Sequence, residues 1–391
     1  MQAPSCPGKL AARFGGAALA ASLLAAAAAL AGPAASAATT GQQRFVPGAA
    51  RAVFVQTDNL AGNQVVAYRR AAGGTLTLAG TYATGGLGGQ LSGSVVDHLA
   101  SQSSLDYDPG PGLLFAVNAG SDTVSVFTAS GDRLALRQVI GSGGAFPVSV
   151  AVRGALVYVL NALGGGTVQG FRVAFGRLVP IPGSARPLGL NPAASPQFTN
   201  TPGQVAFSPL GTQLIVTTKA NGNDVDVFGV GPDGRLSPSP VVNAEPGTVP
   251  FAIAFDPAGH LVIADAGPNA LSTFALSPVG TLTALDSVGT GQTATCWVAS
   301  DGDLEFASNA GSATVSGYVE HAGGQLTLAG QTPTDPGTVD AAVAPSGRFV
   351  YVQTGGNGVV DEFAVGSGGS LTEIGHVTVA GAAGGEGIVA P

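Results

Sequence analysis

The chain alternates short apolar runs with Gly-rich breaks, and one version of that pattern recurs seven times. An apolar run ends in Asn, Asp or Thr, a turn follows, and a run with apolar residues at every other position comes next. Leu113-Leu114-Phe115-Ala116-Val117-Asn118 leads through a Gly-bearing turn into Thr123–Phe127, and Leu304–Asn309 leads likewise into Thr314–Tyr318. The equivalent run ends are Thr57, Asn118, Asn161, Thr218, Asp265, Asn309 and Thr354, spaced 61, 43, 57, 47, 44 and 45 residues apart. A period of about 45 residues holding four short strands is the signature of a propeller blade. The pattern predicts an all-β fold, a seven-bladed β-propeller with four antiparallel strands in each blade.

The last repeat shows the four strands most plainly, at Asp340–Ala344, Phe349–Gln353, Val359–Val365 and Leu371–Val379, separated by turns at Pro345-Ser346-Gly347, 355–358 and 366–369. Pro at the second turn position and Gly where φ must be positive recur at Ser208-Pro209-Leu210-Gly211, Asp256-Pro257-Ala258-Gly259 and Gly231-Pro232-Asp233-Gly234. The first repeat lacks an apolar run ahead of Val53-Phe54-Val55. The C-terminal Glu386-Gly387-Ile388-Val389 supplies a match for it, so the last residues are expected to close the ring as the innermost strand of blade 1. The two long spacings place extra residues at about 85–104 and 186–203, on the face that carries the Asn/Asp/Thr turns. Long loops gathered on one face are where a rigid scaffold carries function, with plain Gly-rich padding as the other reading.

Ahead of the repeats, Lys9 and Arg13 precede an Ala/Leu run, and Ala35-Ser36-Ala37 offers a small-residue cleavage site. Residues 1–38 are read as a secretory signal peptide and 39–391 as a single propeller domain. The protein is expected to be secreted, with no membrane span after processing. Only Cys296 remains beyond that cut, so no internal disulfide is available and the core alone must hold the fold. Net charge is −8, and loss of Lys9 and Arg13 leaves −10, with Lys219 the sole lysine. An acidic chain without a basic cluster argues against nucleic acid as a partner.

Aligned inner strands put Glu386, Ser104, Ser149, Gln204, Ala252, Thr295 and Asp340 at the start of blades 1 to 7, around the mouth of the channel. Blades 7 and 1 are neighbours, so Asp340 and Glu386 are expected to approach each other. A carboxylate pair there serves acid/base catalysis, binds a cation or sits apart in water, and the sequence leaves all three open. Cations on that face are few: Arg186 in the second long loop, and Lys219 in a polar turn with Asn221 and Asn223, where a surface lysine is the plain alternative. His98 is the histidine of the loop face, beside Asp97, and the two form a candidate acid/base dyad. The four histidines are too scattered for a His-rich metal site, so no metal and no cofactor are expected. No Ser elbow, Walker loop or dinucleotide fingerprint occurs.

The repeated blade, its Pro-x-Gly turns before an apolar strand ending in Asn, and the Asp233-Gly234-Arg235-Leu236 turn resemble the lactonase-type seven-bladed propellers. That group includes bacterial 6-phosphogluconolactonase and the fungal carboxymuconate-lactonising enzyme, and it overlaps in pattern with exported YncE-like propellers. The resemblance runs from about Val46 to Pro391. It implies His, Arg and Glu side chains on the loop face, often with Pro-His starting an inner strand. Here that stretch reads Asn200-Thr201-Pro202-Gly203-Gln204, with Gln in place of His, and the resemblance points to Asn200 and Gln204 as substrate contacts. The family implies an exported lactonase-like enzyme that opens or forms a lactone of a small sugar acid or dicarboxylate. The alternative is a non-catalytic secreted propeller that binds a ligand or protein through its loop face. Either way the expected partner is a small anionic or sugar-derived molecule, and the expected state is a monomer. In these terms Asp340, Glu386 and His98 are the catalytic candidates, with Arg186, Lys219, Gln204 and Asn200 as substrate contacts.

Overall fold

The second strand of each blade is buried on both faces, as at Leu113–Asn118 and Phe349–Thr354, and reads as an unbroken apolar run. The outermost strand, such as Leu371–Thr378, alternates between half-buried and exposed positions. The computed structural model describes residues 51–391; residues 1–38, read as a signal peptide, and the propeller domain up to residue 50 lie outside the described residues. Seven antiparallel sheets form, each a meander from an inner to an outer strand. Blade 7 comprises Thr338–Val343, Phe349–Thr354, Val359–Val365 and Leu371–Thr378, close to the spans read from the sequence. In blade 3 the outer strand is broken into Arg177–Pro180 and Arg186–Pro187, both paired with Thr167–Ala174. No helix among the described residues is long and apolar enough to cross a membrane.

Packing between blades uses aromatic rings whose hydroxyls reach the next sheet. The hydroxyl of Tyr158 donates to Gly234 O of blade 4 at 2.7 Å, and that of Tyr351 donates to Gly74 O of blade 1 at 2.6 Å. Tyr318 reaches back to Val288 O of blade 5 at 3.1 Å. Each ring is buried, and each hydroxyl finds an acceptor that an apolar core would not provide.

Blade 1 joins the two ends of the described chain. Ile388 and Val389 pair antiparallel with Val55 and Phe54, and Gln56 N donates to Gly387 O at 2.8 Å. The C-terminal strand therefore closes the ring as the innermost strand of blade 1. Ser104 Oγ donates to Glu386 O at 2.7 Å and Ile388 N to Asp340 Oδ2 at 3.3 Å, so the closing strand is also tied to blades 2 and 7.

The channel is filled where its mouth was expected. Residues 97–104, the end of the first long loop, run along the propeller axis and bond to blades on all sides. Ser101 Oγ donates to Val148 O of blade 3 at 2.8 Å, and Trp297 Nε1 of blade 6 donates to Ser101 O at 2.7 Å. The Gln102 side chain pairs with both backbone groups of Val298 in blade 6, and His98 N donates to Gly384 O at 2.8 Å. Only a segment on the axis reaches so many blades at once.

Asp340 and Glu386 lie side by side beneath this plug, hydrogen-bonded to each other and 4% and 0% exposed. Glu386 also accepts from Ser104 N at 3.3 Å and Ser101 Oγ at 3.4 Å, and Asp340 from Ala341 N at 2.9 Å. Burial raises Asp340 to about 7, and burial with the neighbouring Asp340 and Asp97 charges holds Glu386 well above the carboxylate range. Of the three readings the sequence leaves open, carboxylates sitting apart in water do not hold, because both groups are buried and face each other.

Two outcomes follow from this closure. Deleting residues 386–391 removes the buried Ile388 and Ala390 and opens blade 1, so thermal denaturation should show a loss of at least roughly 5 kcal/mol. A deletion variant that melts with the parent would refute the closure. Asp340 and Glu386 hold protons in the folded state that the unfolded chain has released by pH 5. The contribution of Asp340 is full below the unfolded carboxylate pKa and is lost as pH rises through about 7, and that of Glu386, also raised, changes in the same direction. Between pH 5 and 8 the wild type should lose at least roughly 3 kcal/mol more stability than an Asp340→Asn/Glu386→Gln variant, measured by denaturant titration at each pH.

Candidate functional site

The two long loops meet over blades 4, 5 and 6. Ser92 N donates to Gln197 Oε1 at 2.9 Å, Phe198 N donates to Ser92 O at 3.3 Å, and Gly93, at φ +84°, leaves room for the Phe198 ring. A helical turn at Gln197–Asn200 swings Phe198 and Thr199 inward. Beneath the roof lies a cavity of about 180 Å³. Its walls include Phe251 and Trp297, packed edge to face with ring centroids 5.1 Å apart. Val96, Val249 and small alanines complete an apolar lining.

Two ionisable groups of opposite charge reach this cavity. Lys219 follows the second strand of blade 4 in a left-handed conformation (φ 51°), which turns its side chain inward, leaving the residue 1% exposed. Its Nζ donates to Ala100 O at 2.6 Å, Phe198 O at 2.7 Å and Thr201 Oγ1 at 3.2 Å, and stands 5.1 Å from the Phe251 ring centre. Burial pushes its pKa down to about 7, against the pull of the Asp97 charge. Asp97 accepts from Leu99 N at 2.8 Å and Ser101 N at 2.9 Å. Burial raises it to about 6 although those N–H groups and Lys219 favour the carboxylate. Cys296 also lines the cavity, half-buried, with its thiol pushed up to about 12, which makes it a neutral wall and not a nucleophile.

The other residues singled out from the sequence lie elsewhere. Arg186 directs its guanidinium onto the carbonyls of Gly183, Ala185, Leu236 and Ser237, fastening the broken outer strand of blade 3 to blade 4. Gln204 is buried as a bridge, donating to Ser103 Oγ at 3.1 Å and accepting from Ile253 N at 2.5 Å. Asn200 turns back to cap Pro196 O at 2.9 Å. His98 packs on Gly384, where a Cβ would collide with its ring, and its Nδ1 stands 3.9 Å from Asp58 Oδ2. Burial lowers its pKa. Asp97 bonds to Leu99 N and Ser101 N while His98 packs on Gly384 and faces Asp58, so the adjacent pair forms no dyad.

Of the expected contacts, Lys219 alone reaches the cavity, and as a buried lysine instead of a surface one. Phe198, Phe251 and Trp297 were not read as site residues, though a lone Trp at the start of an inner strand was available as a signal. Among the described residues, the His/Asp/Glu group with metal-ligand spacing is Asp256, His260 and Glu320, away from this cavity.

Residues 89–384 match the model of the lactonase family, seven-bladed beta-propeller. The fold is similar to that of a Bacteroides uniformis protein provisionally assigned as a 6-phosphogluconolactonase (19% identity, TM-score 0.70, covering 86% of this chain and 98% of that one). It is also similar to the periplasmic gluconolactonase of Pseudomonas aeruginosa, at 18% identity and TM-score 0.69, over 86% of this chain and 98% of that one. A Lactobacillus plantarum protein is similar at 20% identity and TM-score 0.69, over 86% and 98%. No curated protein sequence matches the chain. With its repeat, its closed ring and the family match in agreement, the chain belongs to the lactonase family of seven-bladed β-propellers.

Proposed function

We propose that the protein is an exported lactonase-type hydrolase that takes a small, uncharged and largely apolar lactone into the cavity between blades 4, 5 and 6. The observation that carries this reading is the Asp97–Lys219 pair. A carboxylate near 6 and an ammonium near 7 line an otherwise apolar cavity, and groups perturbed in this way gather where acid/base chemistry is done. Asp97 accepts a proton from water as the water oxygen attacks the lactone carbonyl. The developing oxyanion faces the Lys219 ammonium. The ring C–O bond then breaks, and the leaving alkoxide takes the proton back from Asp97, giving the hydroxy acid. The cavity lining contains no arginine, so a phosphate or second carboxylate would find no bidentate partner there. This narrows the sugar-acid or dicarboxylate substrate expected from the family to a neutral ring. The N-terminal pattern supports export, and the Pseudomonas aeruginosa neighbour is named as periplasmic.

A second reading rests on one observation. All three Lys219 hydrogens and both Asp97 oxygens already have partners within the protein, which suits a cavity that binds a ring without attacking it.

Purified protein assayed against alkyl-substituted γ- and δ-lactones beside aldonolactones separates the two. Hydrolysis of the alkyl lactones should rise as Asp97 ionises near pH 6 and fall as Lys219 deprotonates near pH 7. Asp97→Asn should lower kcat about 100-fold or more with an unchanged circular dichroism spectrum. Activity unaffected by Asp97→Asn refutes the proposed base, and saturable lactone binding without turnover supports the binding reading.

A further inference from the structure

On the opposite face, between blades 5 and 6, three side chains from separate parts of the fold converge. The Asp256–Gly259 turn joins the inner strand of blade 5 (Pro250–Phe255) to its second strand (Leu261–Asp265), and it brings Asp256 and His260 together. Glu320 comes from the third strand of blade 6, Thr314–His321. His260 Nδ1 stands 2.7 Å from Asp256 Oδ2 and 3.6 Å from Glu320 Oε1, and one donor atom from each residue lies within 4.8 Å of the others. Asp256 is fixed by a second bond, from His260 N to its Oδ1 at 2.6 Å.

A plain ion-pair network leaves part of this unexplained. Glu320 is 4% exposed, and its carboxyl oxygens face Asp256 and His260 themselves, with no donor from outside the cluster in hydrogen-bond distance. Behind it Glu305 is 0% exposed; one of its oxygens accepts from Ser300 Oγ and the other has no partner. The charges acting on Glu320 are those of Asp256 and His260, and those on Glu305 come from Glu320, Asp256 and Asp301. Among the described residues, no lysine or arginine is among the charges acting on either. Buried carboxyl oxygens without donors cost free energy unless a proton or a metal ion occupies the space they face.

We propose that Asp256, His260 and Glu320, backed by Glu305, form a binding site for a divalent transition-metal ion of the Zn²⁺ type that staples blade 5 to blade 6. One imidazole nitrogen with carboxylate oxygens is a donor set of intermediate hardness, which favours Zn²⁺ over Ca²⁺ or Mg²⁺. Ligands about 2.0–2.1 Å from a tetrahedral ion lie roughly 3.3 Å apart, close to the gap between His260 and Glu320. The shorter His260–Asp256 contact is the hydrogen bond the ion would replace. Asp256 accepting the His260 N–H supplies the outer support that such ligands usually have. The His260 side chain is 20% exposed, which gives the ion a way in. This site is independent of the loop-face cavity and of the activity proposed for it.

The test is calorimetric titration of purified, chelator-treated protein with Zn²⁺, and separately with Ca²⁺ and Mg²⁺, alongside thermal melts. One Zn²⁺ per chain should bind, release protons and raise Tm. His260→Asn and Glu320→Gln should each weaken that binding at least about tenfold, whereas His321→Asn and His376→Asn should leave it unchanged. Glu320→Gln replaces a buried carboxyl with a neutral isostere and is expected to fold, so a loss of binding there is not a loss of structure; its metal-free melt checks this. The proposal is overturned by the absence of saturable Zn²⁺ binding, by binding that survives both variants, or by preferential binding of Ca²⁺ or Mg²⁺.

Discussion

Each of blades 2 to 7 is built from one continuous stretch of chain, but blade 1 is assembled from strands at the two ends of the repeats. The pairing of Phe54 with Val389 and Val55 with Ile388 joins them. Antiparallel pairing there removes the exposed edge that an open ring would leave, and it fixes where Glu386 and the preceding Gly384 sit. Those positions in turn receive the first long loop, through His98 N on Gly384 O and Ser104 on Glu386. The loop can cross the axis only because the closed ring presents backbone groups on all sides for it to bond. The plug, the carboxylate pair beneath it and the cavity beside it thus depend on the same few closing residues.

The chemistry of the axis follows from composition. The chain has 15 Lys and Arg against 23 Asp and Glu, and the ion pairs of Arg69 and Arg235 go to Asp132 and Asp233, which are not among the buried carboxyls. Burial raises Asp106, Asp226 and Asp265 to about 7, as it does Asp340, so each favours its neutral form in acid and ionises near neutral pH. A neutral carboxyl needs a hydrogen-bond partner but no countercharge, and Glu386 against Asp340 shows how two of them satisfy each other. Arg186 donates instead to four carbonyls between blades 3 and 4. There it closes the broken edge of blade 3, whose outer strand bends away after Pro180.

What could be read from the sequence was what repeats. The run ends at Asn118, Asn161 and Asn309 are buried and tie the second strand of a blade to the start of its third, so the same residue type recurs for a local reason. Alignment of the inner strands also brought Asp340 and Glu386 together, because neighbouring blades place equivalent positions side by side. The path of a long loop has no such regularity. Residues 97–104 look like polar padding, and their course is decided by acceptors and donors in blades 3, 4 and 6, some nearly 200 residues away. Lys219 looked like a surface lysine in a polar turn until its left-handed backbone and the folded-over second loop buried it. Asp256, His260 and Glu320 were invisible for a related reason: two lie across a turn, and the third comes from the neighbouring blade.

Asp97 connects the axis to the cavity. Its charge raises Asp340 and Glu386 on one side and supports the ammonium of Lys219 on the other. Because these couplings are reciprocal, a proton taken up by Asp97 eases ionisation of the axial pair and weakens the hold on the Lys219 proton. The peptide that joins the two regions is also shared, since Lys219 binds Ala100 O and Trp297 binds Ser101 O. The protonation of Lys219, Asp97 and the axial pair is in this way linked through one loop, whose position the closed ring determines.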